Sequence, residues 1–263
     1  MEISIQSTPF AKSAASDIEI KASNIDLLDY LSYLSLPPGI TVKDLDLNLY
    51  AKADYAEIKE GHDLSVRGRI NLLNADIKGE NDVHLIGFPD LEIVLKPSDV
   101  LKGNIHLDTV LLSKPVINLS RDEKGQLNIL SYLPAEKPEP SEQQDVSENQ
   151  EGVETQAGPA FSISLNLGAV KEGTLVYEDV SNPRPFKTRV SPLNLEISNL
   201  TIGEQIKGRY SVDCRTEKDE DLASSGQFSV SPMTVKGDLH LNGLPLVKYA
   251  PFYEPFVGFD IDK

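Results

Sequence analysis

Residues 44–50 read Asp-Leu-Asp-Leu-Asn-Leu-Tyr, and this stretch decides the fold class. Three leucines, Leu45, Leu47 and Leu49, alternate with acidic or amide side chains. That period of two is typical of a β-strand with one apolar and one polar face. The alternation returns later in the chain and predicts further apolar-facing residues: Ile163, Leu165, Leu193, Leu195, Leu239 and Leu241. The sequence therefore predicts an all-β protein.

The segments between these strands are short and rich in Gly, Pro, Asn and Asp. Many are too short for crossover helices, which predicts a long, mostly antiparallel sheet. Short helical turns are expected at 25–35, 97–102, 127–133 and 245–254. The polar face should be wet, whereas the apolar face needs a cover. That cover is either a second sheet, as in a sandwich, or lipid.

The two ends of the chain resemble each other at a shift of 219 positions. Residues 25–44 read IDLLDYLSYLSLPPGITVKD, and residues 244–263 read LPLVKYAPFYEPFVGFDIDK. Tyr30 falls on Tyr249 and Tyr33 on Phe252, as expected of a protein that stacks repeated units. We expect residues 1–24 to end one repeat, 25–243 to form the next, and 244–263 to begin a third. Only three of the twenty pairs are identical, so chance similarity remains the alternative.

Residues 134–160 differ in kind from the rest. They contain no aromatic residue, no Leu and no Ile, but seven acids and one Lys. Such a segment cannot bury enough apolar surface to offset the entropy of ordering, so a disordered acidic insertion is expected. Replacing 137–157 with a short Gly/Ser link is then expected to shift stability by less than about 1 kcal/mol.

Composition excludes several classes of function. The net charge of −16 argues against nucleic-acid binding and against docking on an anionic membrane surface. Cys214 is the only cysteine, so no internal disulfide and no thiolate metal cluster can form. No apolar run is long enough to span a membrane, and residues 1–20 lack the pattern of a signal peptide. If the parent protein is exported or anchored, those elements lie outside this sequence.

Motifs that organise chemistry are missing from the sequence. There is no Gly-rich phosphate loop, no G-x-S-x-G elbow and no pair of histidines at metal-ligand spacing. Residues 44–48 resemble the start of a calcium loop, but Leu49 and Tyr55 stand where Gly and Glu are required. We therefore expect no enzyme, no catalytic residue, no cofactor and no metal site.

Two blocks in the middle of the chain carry a family resemblance. Residues 110–130 read VLLSKPVINLSRDEKGQLNIL, and residues 173–201 read GTLVYEDVSNPRPFKTRVSPLNLEISNLT. They resemble AsmA-like proteins of the bacterial envelope, most closely the branch described as domain of unknown function 748, which is related to TamB-type repeating β-groove proteins. The matching residues are Pro115, Arg121, Asp122, Gly125, Leu127, Asn128, Gly173, Tyr177, Asp179, Pro185 and Phe186. The resemblance covers about 25–263, and these are motifs of fold, not of catalysis.

The resemblance implies a long, curved sheet that forms an open apolar groove. Such a groove is expected to bind acyl chains and to conduct phospholipid between inner and outer membrane, in the periplasm of a Gram-negative bacterium. The parent would be anchored in the inner membrane by a segment outside this sequence. Expected partners are phospholipid acyl chains and neighbouring repeats of the parent chain. The expected groove-lining residues are Leu45, Leu47, Leu49, Ile163, Leu165, Leu193, Leu195, Leu239 and Leu241. The alternative is a structural or adhesive β-sandwich with a closed dry core and no lipid cargo.

Overall fold

The computed structural model describes residues 1–8, 15–33, 36–58, 61–132, 162–182, 184–202, 206–230 and 232–254. Twelve strands in these residues belong to one sheet. They are β1 (Glu2–Thr8), β2 (Ala15–Asp26), β3 (Thr41–Ile58), β4 (Gly61–Lys78), β5 (His84–Asp99), β6 (Asn104–Ser113), β7 (Val116–Arg121), β8 (Ser162–Asp179), β9 (Phe186–Ile202), β10 (Lys207–Thr216), β11 (Asp221–Val230) and β12 (Met233–Asn242). The predicted all-β class, with one large sheet and few short helices, is confirmed.

The helical elements are short. The described residues contain 3₁₀ helices at Leu28–Tyr33, Glu80–Asp82, Asn128–Tyr132 and Leu246–Tyr249, and one α-helix, α1, at Ala250–Tyr253. They include three of the four predicted helical turns. The fourth prediction, 97–102, was wrong. There β5 runs on to Asp99, whose side chain accepts a hydrogen bond from the Lys102 amide at 3.1 Å and closes a tight turn instead.

One junction departs from the antiparallel pattern. Strands β1 to β6 form a meander, as do β8 to β12, but β6 and β7 both run parallel to β8. Asn104 lies opposite Ser162 and Arg121 opposite Asp179, which keeps one constant offset along the whole of β8. Thus β6 and β7 are two halves of one interrupted strand. The sequence did not predict this parallel pairing, because the polar insertion at 134–160 lacks the sequence pattern of a crossover helix, the usual sign of parallel strands.

A line of irregular residues, here called the bulge line, crosses the sheet. Its members have positive φ: Asn24, Asn74, Lys114 and Glu172. Side chains of neighbouring strands satisfy the displaced backbone. Asn48 Oδ1 accepts from the Asn24 amide at 2.8 Å, and Asn194 Oδ1 accepts from the Glu172 amide at 2.9 Å. Bulges bend the strands that carry them. The line separates a wide panel, which includes β1 and β10–β12, from a short panel made by β7 and the ends of β3, β4, β5, β8 and β9.

Little of the described chain is buried. Its buried apolar residues are mostly alanines: Ala22, Ala75, Leu85, Ala169, Phe186 and Ala250. A sandwich needs two sheets with large side chains meeting between them, whereas the described strands form a single sheet. The alternative of a closed dry core therefore does not fit these residues.

Motif residues of the short panel hold its turns together. Arg121 Nε donates to the Gly125 carbonyl at 2.9 Å, and Arg121 Nη1 lies 3.5 Å from Asp179 Oδ2. Gly125 has φ +79, a conformation that favours glycine. Asn128 ties the next turn to β7, since its Oδ1 accepts from the Ser120 amide at 3.1 Å. These residues thus have structural roles, as the sequence indicated.

Both copies of the repeated stretch lead from a strand into a short helix. β2 precedes Leu28–Tyr33, and β12 precedes Leu246–Tyr249. The division into repeats at 1–24, 25–243 and 244–263 stays a prediction. The expected disordered insertion at 134–160 lies outside the described residues.

Candidate functional site

Strand register places a continuous row of side chains on one face of the sheet. Residues that pair directly across neighbouring strands point to the same face. The row runs from Ile25 through Leu47, Leu72, Leu91, Leu112, Val170, Leu195, Val212 and Ser224 to Leu239. All but Ser224 are apolar. The row crosses ten strands, and at about 4.8 Å per strand it is about 43 Å long.

A second row lies two residues away along each strand, or three in β2 because of the bulge between Ala22 and Ile25. It runs from Ala22 through Leu49, Ile70, Ile93, Val110, Gly168, Ile197, Tyr210 and Gly226 to Gly237. Its last members are small, and the Tyr210 hydroxyl lies 2.9 Å from where a Cβ on Gly237 would stand. Together the two rows form what is here called the apolar trough.

Seven of the nine predicted lining residues lie in or beside these two rows. Leu47, Leu195 and Leu239 belong to the first row, and Leu49 belongs to the second. Leu45 shares their face by alternation along β3. Leu193 and Leu241 face the same way, one pairing step nearer the strand ends, because Leu193 pairs with Cys214, which pairs with Leu222, the partner of Leu241.

Ile163 and Leu165 reach the same face through a second irregularity. Leu165 pairs with Leu107 of β6, which lies opposite Leu95 of β5. The register between β5 and β6 shifts beside Leu95, and this restores the apolar side chains to the trough side. The Leu165 side chain lies against Gly168, next to Ile197. The structure thus brings all nine residues to one face, while their contact with lipid stays a prediction.

The trough is open to solvent. Seven of the nine side chains are half-buried by neighbours on their own face, while Leu239 and Leu241 are 61% and 50% exposed. In a single sheet, such side chains are covered only at their sides by neighbouring side chains, and their tops stay exposed. The trough therefore offers dispersion contacts along its length.

The opposite face is charged and wet. Asp54 pairs with Arg67 at 2.7 Å and with Lys52 at 3.2 Å, and Arg69 lies 3.7 Å from Glu92. Exposed pairs of this kind add little stability but keep the face soluble. A hollow of about 230 Å³ on this side is bordered by Glu172, Glu196 and Asp213.

The centre of the first row was missed by sequence reasoning. Leu72, Leu91, Leu112 and Val170 lie in strands where apolar residues also point outward, such as Leu111 beside Leu112. Consecutive apolar residues hide the period of two. Only the pairing of strands identifies which member of each pair faces the trough.

A comparison with protein families identifies the chain. The model of the AsmA family matches residues 68–244, about two thirds of the sequence. The chain belongs to the AsmA family. AsmA family proteins are bacterial envelope proteins, which confirms the resemblance read from the two motif blocks. The narrower branch and the relation to TamB stay predictions. No curated protein and no solved structure matches the chain.

Two buried carboxylates stand out in this AsmA family chain. Asp179 is fully buried and accepts from the Ser181 amide at 2.8 Å and the Tyr177 hydroxyl at 3.1 Å. Burial alone would raise the pKa of Asp179, but the hydrogen bonds from Ser181 and Tyr177 and the Arg121 charge outweigh it and lower that pKa. Glu220 is 4% exposed, and its pKa is lowered in the same way by Lys248, Thr216 and Tyr249 against the effect of burial. Both carboxylates are engaged by the fold.

Other sources of chemistry are few in the part of the chain that the structure describes. No group of three or more His, Cys, Asp or Glu side chains could hold a metal ion there. No helix within those ranges has the length and hydrophobicity to cross a membrane. Cys214 is half-buried on the trough side, where burial raises the pKa of its thiol. What remains is a long apolar surface.

Proposed function

We propose that the apolar trough binds acyl chains of phospholipids and conducts them through the periplasm between inner and outer membrane, in support of envelope integrity. The observation that carries the proposal is the uninterrupted pairing from Leu47 to Leu239 across the sheet. Membership of the AsmA family is consistent with an envelope or lipid-transport role.

The expected binding free energy of an acyl chain on the trough suits a conduit better than a storage site. Burial of one methylene contributes about 0.8 kcal/mol, so ten methylenes laid on an open face, half covered, contribute about 4 kcal/mol. The first row repeats similar Leu, Ile and Val side chains at every position but Ser224, so neighbouring positions of that row bind an acyl chain about equally. A chain held this way can slide along the row, since no single site binds it much more tightly.

The proposal makes this chain a lipid carrier and not an enzyme. Its support is that the two buried carboxylates described above are bound to neighbouring donors within the fold. Its proposed partners are acyl chains and neighbouring repeats of the parent, with membrane contact through other parts of that parent and none with nucleic acid. The periplasm of a Gram-negative bacterium, with an inner-membrane anchor on the parent, is proposed as the setting.

The test places a carboxylate in the middle of the trough. Leu195→Asp leaves a half-buried position hydrated when the trough is empty, so the protein should lose only about 1–2 kcal/mol of stability. A bound acyl chain would strip that hydration, which is costly for an ion. Lipid that co-purifies from a bacterial host, measured by native mass spectrometry, should fall at least fivefold.

A matched pair on the edge strand controls for charge alone. Leu239 and His240 are adjacent and exposed, yet they face opposite sides of β12. Leu239→Asp should lower lipid load, and His240→Asp should leave it within about twofold of the unaltered protein. Equal losses from both, or no lipid on the unaltered protein, would refute acyl-chain binding. Conduction is tested by following labelled phospholipid from inner to outer membrane in cells whose parent protein carries Leu195→Asp.

A further inference from the structure

The end of the described chain folds onto the short panel. The 3₁₀ helix Leu246–Tyr249 continues into α1, and the two together, 246–253, are here called the aromatic helix. Phe252 meets Phe186 edge-on with ring centroids 4.8 Å apart, and Tyr249 lies 5.5 Å from the same ring. Phe186 is only 6% exposed as a result. Aromatic pairs at these separations stabilise a docked helix.

Register shows which face the aromatic helix covers. In β8 and β9, Gly173 pairs with Leu193, Leu175 with Val190, and Asp179 with Phe186. Gly173, Leu175 and Asp179 alternate along β8 and share a face, so Phe186 faces the same side as Leu193. Leu193 borders the first row of the trough. The aromatic helix therefore lies on the trough side of the sheet, past the bulge line.

A buried polar network fixes the helix there. Lys248 Nζ donates to Glu220 Oε2 at 2.8 Å and to Thr188 Oγ1 at 3.0 Å, and the Tyr249 hydroxyl donates to Glu220 Oε2 at 3.0 Å. The Lys248 side chain is 16% exposed. Glu220 Oε1 is buried with no partner among the described residues, so the carboxylate depends on the donors at its other oxygen. Removing one partner of such a pair leaves an uncompensated buried charge.

The helix still presents apolar surface to solvent. Phe252 is 38% exposed although it packs on Phe186, and Leu246 is 49% exposed. Leu239 and Leu241 lie on the same side of the sheet as Leu193, and residues 243–245 alone separate β12 from the aromatic helix. Resting on the proposed function, we propose that the aromatic helix is a side wall of the trough, that Phe252 contacts the acyl chain, and that Glu220 and Lys248 are positioning residues for this wall.

The first copy of the repeated stretch provides a contrast. Asp29 stands where the second copy has Lys248, so that helix has no equivalent cation to offer a buried carboxylate. Its aromatic residues are free of such packing, with Tyr30 and Tyr33 53% and 84% exposed. The buried polar network thus belongs to the second copy, where the helix packs on Phe186.

Photo-crosslinking in the full chain tests the wall. A photo-crosslinking phenylalanine analogue is placed at position 252, at position 195 in the trough, or at position 240 on the polar face. The protein is then irradiated with vesicles of radiolabelled phosphatidylethanolamine and phosphatidylglycerol. Positions 252 and 195 should capture lipid in yields within about threefold of each other, and position 240 should capture at least tenfold less.

Variants then test the two positioning residues. Lys248→Met should lower capture at 252 at least fivefold and leave capture at 195 within twofold, a split that general unfolding would not produce. The double variant Glu220→Gln/Lys248→Met removes both charges and should recover part of the yield at 252. No capture at 252 with normal capture at 195 would overturn the wall alone. Unchanged capture at 252 in Lys248→Met would overturn the positioning role. Absence of capture at both 195 and 252 would overturn the proposed function itself.

Discussion

The stability of the protein should depend on the length of the connection between β7 and β8, although not on its sequence. Arg121 lies opposite Asp179 at one end of β8, and Asn104 lies opposite Ser162 at the other. The end of β7 and the start of β8 therefore lie about one length of β8 apart. With 18 residues at about 3.3 Å each, less some shortening by bulges, that distance is about 50 Å.

The start of this connection is held at the far end. The Tyr132 hydroxyl accepts a hydrogen bond from the Glu80 amide at 2.9 Å, just after the end of β4. Deleting 137–157 and inserting four Gly/Ser residues leaves about twelve residues between Tyr132 and Ser162. Fully extended, they reach about 40–43 Å. The deletion that composition alone marks as harmless therefore leaves the connection too short.

The loss of stability follows from the part of β8 that must detach from the sheet. Releasing Ser162–Leu165 from β8 closes the gap, but it removes Ile163 and Leu165 from the trough. Each half-buried side chain contributes about 1 kcal/mol, so the expected loss with the strand hydrogen bonds is about 2–3 kcal/mol. A deletion of 141–150 leaves about nineteen residues, which reach about 63 Å, and should cost under about 1 kcal/mol.

Denaturant unfolding and hydrogen exchange would measure both effects. The 137–157 deletion should expose amides at 162–167 to exchange, whereas the shorter deletion and a shuffled 134–160 segment of full length should not. If the long deletion is as stable as the unaltered protein and keeps 162–167 protected, the argument from the distance between Tyr132 and Ser162 is wrong.

Three further predictions concern the short panel and its neighbours. The pKa of Glu220 is lowered in the folded state, so its contribution to the stability of the fold is present above the ordinary value of 4.5 and is lost as pH falls through the lowered value. Glu220→Gln should therefore flatten the fall in melting temperature below pH 4.5. An unchanged dependence of melting temperature on pH in that range would contradict this. Asp179→Asn should cost about 2–4 kcal/mol in denaturant unfolding, because Arg121 loses its charge partner; a loss below about 1 kcal/mol would show that the buried ion is not needed. Gly79→Ala should be destabilising, since a Cβ there would clash with the Tyr132 hydroxyl, and Tyr132→Leu in the same protein should relieve the clash; simple additivity of the two changes would argue against the contact.

The sequence was sufficient for the fold class and for the direction in which single strands face. Alternation such as that at Leu45, Leu47 and Leu49 has one physical cause, a half-covered strand, and the sheet confirms it. The parallel pairing could not be read the same way. It depends on a constant offset between residues 104–121 and 162–179, and no local pattern records which distant strand becomes the neighbour.

The bulge line and the buried polar network of Glu220 and Lys248 could not be predicted from the sequence, for related reasons. Asn24, Asn74 and Glu172 are ordinary strand-flanking residues in sequence, and their positive φ arises from pairing on both sides. Glu220 and Lys248 are far apart in the chain and meet only because β10 and β11 end where β9 runs on. The match of Tyr249 and Phe252 to Tyr30 and Tyr33 did mark the helix as a recurring element, but it did not show its partner.

The size of the open surface argues that something covers it in use. Two rows about 43 Å long and about 13 Å wide amount to about 560 Å² of mainly apolar surface. That is near the upper end of the largest patch found on typical soluble monomers, and such patches mark binding sites more often than accidents of folding. A flat protein partner would cover the rows but would also meet the exposed β12 edge and could pair with it. An acyl chain has no hydrogen-bonding groups along its length and would cover the rows alone. Lipid binding should therefore protect the Leu195 side chain from hydroxyl-radical labelling while β12 amides exchange as before, whereas a protein cover should slow exchange in β12 as well.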